Sequence, residues 1–168
     1  MMGREIKIMN LLIISLLFSI FLNGADAELD KSSALAKKEQ KHVMLFLHKN
    51  YCGYCENMFL HLDDEDISKA IEKDFILLDI NRDEDEETVS YQGFKGTNPE
   101  FLKELGVDFY PAMIFINGEN KIIFDVSGHR KPHKIMTILN YISTKSYENN
   151  MSLEEFRDEE SFAEEDDE

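Results

Sequence analysis

Two cysteines three positions apart are the strongest candidates for chemistry in this sequence. Cys52 and Cys55 are the only cysteines of the chain. They follow a continuous apolar run at residues 43–48 and precede a segment whose apolar residues recur at helical spacing. A C-x-x-C that follows a strand and opens a helix is typical of a redox dithiol. The unpaired amides and the positive dipole at a helix N-terminus favour a thiolate at the first cysteine.

Each residue of the motif has a predicted part in this chemistry. We expect Cys52 to be the nucleophile and Cys55, one helical turn later, to resolve a mixed disulfide by intramolecular attack. Gly53 leaves the backbone open to an approaching disulfide, and we expect Tyr54 to shape the site. No cofactor other than the redox-active disulfide is expected.

Two other uses of the cysteine pair stay open from the residues alone. A structural disulfide is one of them, although closing so short a loop gains little chain entropy. A metal site is the other. Zinc takes four ligands in structural sites, and the chain has no second C-x-x-C, but His48 and His61 flank the pair. We expect no metal.

Apolar periodicity and turn signals predict an α/β domain with a small mixed sheet. Strands are expected at residues 43–48, 75–80, 112–116 and 121–126, the first two of them buried on both faces. Helices are expected at residues 29–41, 55–62, 67–73, 98–106 and 132–143. Asn98 is the predicted N-cap of its helix, with Pro99 at the first position. The polar residues 81–97 are interpreted as a loop or a small insertion.

The ends of the chain differ in composition from its middle. Residues 1–27 predict a signal peptide, with Arg4 and Lys7 before the apolar run 11–22 and an Ala25-x-Ala27 cleavage pattern. The run is shorter than a membrane span, so we expect no stable membrane insertion after cleavage, with an uncleaved anchor as the alternative. Residues 28–147 form the predicted domain, and residues 148–168 a disordered acidic tail.

The negative charge of the chain is concentrated in that tail. Residues 148–168 carry eleven acidic residues and one arginine, a net charge of −10 out of the chain's −16. The remaining −6 is ordinary for a domain of this size. A chain with this excess of acidic over basic residues lacks the basic surface that phosphate contacts require, so nucleic acid is excluded as a partner. The tail itself is interpreted as solvated, with a basic protein partner as the alternative.

Residues 41–142 resemble the thioredoxin superfamily, and within it the SoxW-type periplasmic proteins. The resemblance depends on the strand at 43–48, the Cys52-Gly53-Tyr54-Cys55 motif, the strand at 75–80, the segment 106–112 and the segment 115–118 followed by Gly128. It implies a thioredoxin-like fold, with a central mixed four-stranded sheet flanked by helices. It also implies that the Tyr110–Pro111 bond is cis and that Tyr110 and Pro111 shape the substrate site.

The function implied by this resemblance is that of an exported thiol–disulfide oxidoreductase. The expected partners are protein thiol or disulfide substrates and an upstream electron donor, the expected direction is reduction, and the expected compartment is the periplasm. The chain departs from the family at Phe46, six residues before Cys52, where thioredoxins carry a buried acid. A thioredoxin-fold adaptor or metal-binding module without turnover is the alternative.

Overall fold

The computed structural model describes residues 27–165, with side chains as far as Ser161. The predicted signal peptide therefore lies outside the described residues, except for Ala27. Within that range the strands are β1 (Ala27–Glu28), β2 (His42–His48), β3 (Phe75–Asn81), β4 (Thr88–Tyr91), β5 (Phe94–Thr97), β6 (Ala112–Ile116) and β7 (Ile122–Ser127). The helices are α1 (Leu29–Glu39), α2 (Gly53–Leu62), α3 (Glu65–Asp74), α4 (Asn98–Glu104), α5 (Pro132–Ser143) and α6 (Leu153–Glu165), with a 3₁₀ turn at Ser146–Asn149.

The central sheet has four strands in the order β3-β2-β6-β7. Strands β2 and β3 are parallel, and β6 is antiparallel to both β2 and β7. This arrangement confirms the predicted mixed sheet. A parallel pair requires a crossover connection, which α2 and α3 supply.

Helices cover both faces of the central sheet. Successive side chains of β2 point to opposite faces, so this strand contributes to the core on each side. Met44 and Phe46 join the core beneath α2, α3 and α5. Val43, Leu45 and Leu47 join the core beneath α1 and α4. Every residue of β2 except His48 is buried, as the continuous apolar run predicts.

The prediction that the strand after α3 is buried on both faces is wrong. Strand β3 pairs only with β2 and forms an edge of the central sheet. Leu77 and Asp79 in its middle are exposed. The apolar composition of β3 does not tell an edge strand from a central one, because the number of neighbouring strands depends on the order of strands in the sheet.

Residues 81–97 are not a plain loop, as the sequence suggested, but contain a β-hairpin. Strands β4 and β5 are antiparallel, and β1 adds to β4 in parallel, which makes a second sheet of three strands. The carboxylate of Asp30 in α1 accepts hydrogen bonds from the Gln92 amide at 2.9 Å and from Asn120 Nδ2 at 2.5 Å. The hairpin is therefore tied to the α1 layer by contacts that are distant in sequence.

The predicted cap of α4 is also corrected. Thr97, rather than Asn98, is the N-cap, and its backbone amide donates to the Glu100 carboxylate at 2.9 Å. Asn98 is buried and donates from Nδ2 to the Asn81 carbonyl at 3.1 Å. Asn98 thus connects α4 to the end of β3.

The acidic tail differs from the expectation of disorder, because α6 occupies Leu153–Glu165. Leu153 and Phe156 pack against the core beneath α5, and the Phe156 and Tyr141 rings lie 5.6 Å apart. The Tyr141 hydroxyl donates to the Met151 carbonyl at 2.8 Å. These apolar residues are sparse among the charges, which is why composition alone indicates disorder. Within residues 27–165, no helix combines the length and apolarity that crossing a bilayer requires.

Replacing Phe156 with alanine tests the packing of α6. Phe156 is half-buried, so we expect Phe156→Ala to lower the free energy of unfolding by about 1–2 kcal/mol, less than a fully buried phenylalanine costs. Chemical denaturation measures this value, and the exposed Glu159→Ala is the matched control. Equal stability of the two variants would show that α6 does not pack on the domain.

The buried His42 predicts how stability depends on pH. Burial, followed by the charge of Lys145, lowers the pKa of His42 below 6.5, and its Nε2 shares a hydrogen bond with the Tyr147 hydroxyl at 3.1 Å. The unfolded chain then binds more protons than the folded chain just below pH 6.5, so stability falls as the pH drops through that range.

We expect His42→Gln to flatten this loss of stability between pH 7 and pH 5, as measured by thermal unfolding across pH. The exposed His133→Gln is the control and should keep the wild-type slope. Burial lowers the pKa of His129 as well, so part of the slope should survive in His42→Gln. An unchanged slope in His42→Gln would contradict the assignment.

Candidate active site

Four loops meet at one end of the central sheet because of strand register. Leu47 near the end of β2 pairs with Ala112 at the start of β6, and Ala112 pairs with Ser127 at the end of β7. His48 pairs with Asn81 at the end of β3. The segments 49–52, 82–87, 107–111 and 128–131 therefore leave the sheet on the same side. All the predicted site residues lie at this end or at the start of α2.

Cys52 and Cys55 form a disulfide at the first turn of α2. Cys52 is the N-cap residue in extended conformation, and its Sγ accepts from the Cys55 amide at 3.2 Å. Its carbonyl accepts from the Cys55 and Glu56 amides at 2.9 and 3.1 Å. The first sulfur thus lies against the donor groups of a helix N-terminus, which favour negative charge.

The two cysteines differ in exposure, and their neighbours in the motif are open to solvent. Cys52 is 8% exposed and Cys55 2%, an order that suits Cys52 to external attack and Cys55 to internal attack. A Cβ added to Gly53 would meet no atom within 4 Å, so the free protein leaves space there. The Tyr54 side chain is largely exposed and faces His129, with 6.1 Å between ring centroids.

A polar brace holds the loop that leads into Cys52. Asp83 Oδ2 accepts from the Asn50 amide at 2.9 Å, and Asn81 Nδ2 donates to Asn50 Oδ1 at 2.9 Å. The hydrogen bond from the Arg82 side chain, and then that from the Asn50 amide, lower the pKa of Asp83. The braced loop carries Tyr51 fully exposed with a φ of 54°, a left-handed conformation that bulky residues rarely adopt.

Tyr110 and Pro111 lie at the same end of the sheet, joined by a cis peptide bond, which is the isomer that the resemblance implies. The Pro111 carbonyl accepts from the Gly128 amide at 2.7 Å, which connects this loop to the end of β7. The Arg82 guanidinium carbon lies 5.9 Å from the centroid of the Tyr110 ring. Burial raises the pKa of the Tyr110 hydroxyl.

Residues 128–131 run beside α2. The Arg130 amide lies 3.4 Å from Met58 Sδ, and its carbonyl lies 2.9 Å from Nδ1 of His61. The His61 and His129 rings are 4.9 Å apart between centroids. Burial, then the charges of His61 and Arg130, lower the pKa of His129. Within residues 27–165, no three side chains of His, Cys, Asp or Glu gather as a metal site would require.

Comparison with known proteins agrees with this architecture. Residues 29–143 match the family described as a thioredoxin-like domain. The chain belongs to the thioredoxin-like family. No curated protein sequence matches this chain, and the solved structures similar to it share its fold at low identity.

Three solved structures illustrate the likeness. A thioredoxin-fold protein from Helicobacter pylori has a TM-score of 0.63 at 16% identity, over 77% of this chain and 92% of that one. A thioredoxin from Thermus thermophilus has a TM-score of 0.56 at 20% identity, over 71% and 86%. A protein described as DsbH oxidoreductase has a TM-score of 0.51 at 15% identity, over 74% and 86%. At these identities the likeness shows the fold alone.

Several residues at this end of the thioredoxin-like domain were not predicted from the sequence. Arg82, Asp83 and His129 have no motif that marks them, and only the meeting of the loops brings them to the end of the sheet that carries the cysteine pair. The one available signal is that Arg82 and Asp83 directly follow a predicted strand parallel to the one before Cys52. Carboxyl ends of parallel strands meet at one edge of a sheet.

The unequal exposure of the two sulfurs predicts which thiol reacts first after reduction. We expect iodoacetamide to modify Cys52 and to leave Cys55 protected. The rate of Cys52 modification should reach half its maximum at a pH below about 8.5, the value typical of free cysteine. Peptide mass analysis over a pH series measures both. Cys52→Ser is the control and should lose the fast phase. Faster modification of Cys55 would contradict the geometry.

Proposed function

We propose that this protein is an exported thiol–disulfide oxidoreductase that reduces protein disulfides through Cys52 and Cys55. The observation that supports this most is the disulfide at the first turn of α2, with the Cys52 sulfur on a helix amide. The thioredoxin-like family supports the same class of reaction. Reduction as the direction is proposed from the resemblance to SoxW-type proteins.

The proposed reaction is a pair of thiol–disulfide exchanges. The Cys52 thiolate attacks one sulfur of a substrate disulfide, a mixed disulfide forms, and the other substrate sulfur leaves as a thiolate. The Cys55 thiolate then attacks Cys52 Sγ, the Cys52–Cys55 bond forms, and the second substrate thiolate leaves. Two electrons pass from the dithiol to the substrate, and an upstream donor must restore the dithiol.

The geometry supports a protein substrate at this end of the sheet. Tyr54, Tyr110 and Pro111 surround the site in the proposed arrangement, and the space beside Gly53 admits a chain that brings a disulfide to Cys52. The backbone beside Pro111 is proposed to pair with an extended substrate segment, as an added strand does.

Export to the periplasm is proposed from the sequence of residues 1–27. The periplasm would supply protein disulfides as substrates, since disulfides persist outside the cytosol. The mature chain would begin near Glu28, at the start of the described domain. An adaptor or metal-binding role remains the alternative that the experiment below distinguishes.

A trapping experiment tests the proposal. The full chain, with its N-terminal segment, is produced in a bacterium with a periplasm, and Cys55→Ser is recovered from the periplasmic fraction. We expect it to carry substrates as mixed disulfides on Cys52, because the resolving sulfur is missing. Cys52→Ser/Cys55→Ser is the matched control and should carry none.

Two measurements on the purified wild type complete the test. We expect insulin reduction in the presence of dithiothreitol and a reduction potential between about −270 and −120 mV, the range of redox-active members of this fold. A potential below about −300 mV, typical of structural disulfides, would contradict turnover. Stoichiometric bound metal without insulin reduction would favour the metal-binding alternative.

A further inference from the structure

The end of the central sheet that carries the cysteine pair is basic on one side and acidic on the other. Residues 129–134 contain three basic residues, two histidines and no acidic residue, whereas residues 83–87 are five consecutive acids. The first segment follows β7 and the second follows β3, which are the two outer strands of the sheet. Three strand spacings, about 14 Å, separate them. A chain that approaches the disulfide therefore meets opposite charges on its two sides.

Arg130 is the basic residue that is tied most directly to the site. Its amide lies 3.4 Å from Met58 Sδ on α2, and its Nη1 donates to the carbonyls of Gly128 and His129 at 3.2 and 3.1 Å. The Gly128 amide in turn donates to the Pro111 carbonyl at 2.7 Å. These contacts hold the guanidinium next to the loop that contains the cis peptide bond.

The remaining donors of the Arg130 guanidinium are available for a ligand. Within residues 27–161, its Nε and Nη2 donate to no protein acceptor, and no carboxylate forms an ion pair with Arg130 or with Lys134. Two such nitrogens form an edge that binds a carboxylate through two parallel hydrogen bonds. Arg130 thus presents a fixed positive charge that the described part of the chain does not neutralise.

A groove of about 450 Å³, which Arg130 lines, is formed by residues of β7, α5 and α6. Its apolar lining consists of Val126, Ile138 and Leu153, one from each of these elements. Lys134 is exposed and also lines the groove. The groove therefore combines an apolar surface with positive charge.

The other charges of this groove offset one another. Glu154, the one acidic residue among the described lining residues, is paired with Arg157 at 3.5 Å, and Arg157 is also paired with Asp158 at 2.7 Å. The charge that is left without an ion pair is positive and belongs to Arg130 and Lys134. Carboxylates next to an apolar side chain are the groups that complement such a surface.

We propose that this groove binds an acidic segment of the protein substrate, a segment that carries an apolar side chain and lies beside the substrate disulfide. This inference rests on the proposed function. One carboxylate of the segment pairs with Nε and Nη2 of Arg130, a second lies near Lys134, and the apolar side chain packs on Val126 and Leu153. The contacts orient the substrate and take no part in the exchange of electrons.

The acidic residues 83–87 contribute to this selectivity by repulsion. They repel an acidic segment from the β3 side, so the segment is directed to the β7 side. At physiological ionic strength the Debye length is about 8 Å, so charges within the groove act on the segment more strongly than distant charges of the chain do.

Activated peptides measure the proposed preference. Each peptide has one cysteine in a mixed disulfide with 2-thiopyridine, beside a leucine and either three glutamates or three glutamines. The charged or neutral run precedes the cysteine in one set and follows it in another, so that both chain directions are sampled. The Cys52 thiolate of the reduced protein attacks the peptide sulfur, a mixed disulfide forms, and 2-thiopyridone leaves. Stopped-flow absorbance records the second-order rate constant of this release.

In about 0.15 M salt we expect the glutamate peptide of one set to react about threefold faster than its glutamine counterpart, since each exposed ion pair contributes little. The net charge of −16 alone would make the glutamate peptide the slower one. In about 1 M salt, where the Debye length is about 3 Å, the two rates should converge.

Variants of the groove test which residues carry the preference. Arg130→Gln and Lys134→Glu should each bring the ratio of the glutamate rate to the glutamine rate to about one or below, because each removes a positive charge from the groove. The matched controls are Lys95→Gln and Lys103→Glu, which change the net charge equally at exposed positions on β5 and α4. They should keep the wild-type ratio. Using the ratio cancels any effect of a variant on the reactivity of Cys52 itself.

Three results would overturn the inference. The first is a glutamate peptide that is no faster than its glutamine counterpart in either set. The second is a ratio that Lys103→Glu lowers as much as Lys134→Glu does, because net charge would then set the preference. The third is a dimer in size-exclusion chromatography that Lys134→Glu dissociates, which would assign the groove to the acidic α6 of a second copy.

Two further observations keep the test decisive. Circular dichroism verifies that each variant is folded, and the exposed Lys134 carries the test if Arg130→Gln does not fold. Absence of 2-thiopyridone release from every peptide would contradict the proposed function itself, whereas release without a preference for glutamate overturns only this inference.

Discussion

The contact between the Cys52 sulfur and the first amides of α2 is the interaction on which the candidate site depends. A helix N-terminus has more donors than intrahelical acceptors, and here a sulfur occupies the cap position that a serine or aspartate oxygen often fills. Negative charge on that sulfur is therefore stabilised by the backbone. Cys55 follows within the same turn, so the helix that stabilises the first sulfur also presents the second.

The rest of the domain keeps this helix terminus at the end of the central sheet where the four loops meet. Strand β2, which is buried except for its last residue His48, leads the chain to Cys52. Its register with β3 and β6 places the neighbouring loops beside that point. Asp83 holds the Asn50 amide, and the Pro111 carbonyl holds the Gly128 amide. Each of these bonds joins loops that are far apart in the sequence, so the site is a product of the sheet as a whole.

The additions to the central sheet have a structural explanation. The β4–β5 hairpin covers the α1 and α4 side, where Tyr91 and Phe94 join the core. Helix α6 covers the other side through Leu153 and Phe156. Both additions have polar or acidic sequences with a few apolar residues, and those few are the ones that pack. The charge of α6 remains on its outer face, where Glu154, Glu155 and Asp158 are exposed.

The sequence by itself determined the local features of this protein. The C-x-x-C after an apolar run, the apolar spacing of the helices and the apolar runs of the strands depend on near neighbours in the chain. They therefore predict the redox pair, the main helices and most strands of the central sheet. Tertiary structure alone decided which strand forms an edge, that residues 81–97 contain a hairpin, that α6 packs on the domain, and that Arg82, Asp83 and His129 lie at the end of the sheet that carries the site. These depend on contacts between residues distant in sequence, whose free energy exists only once the sheet has set the register, and no local pattern records them.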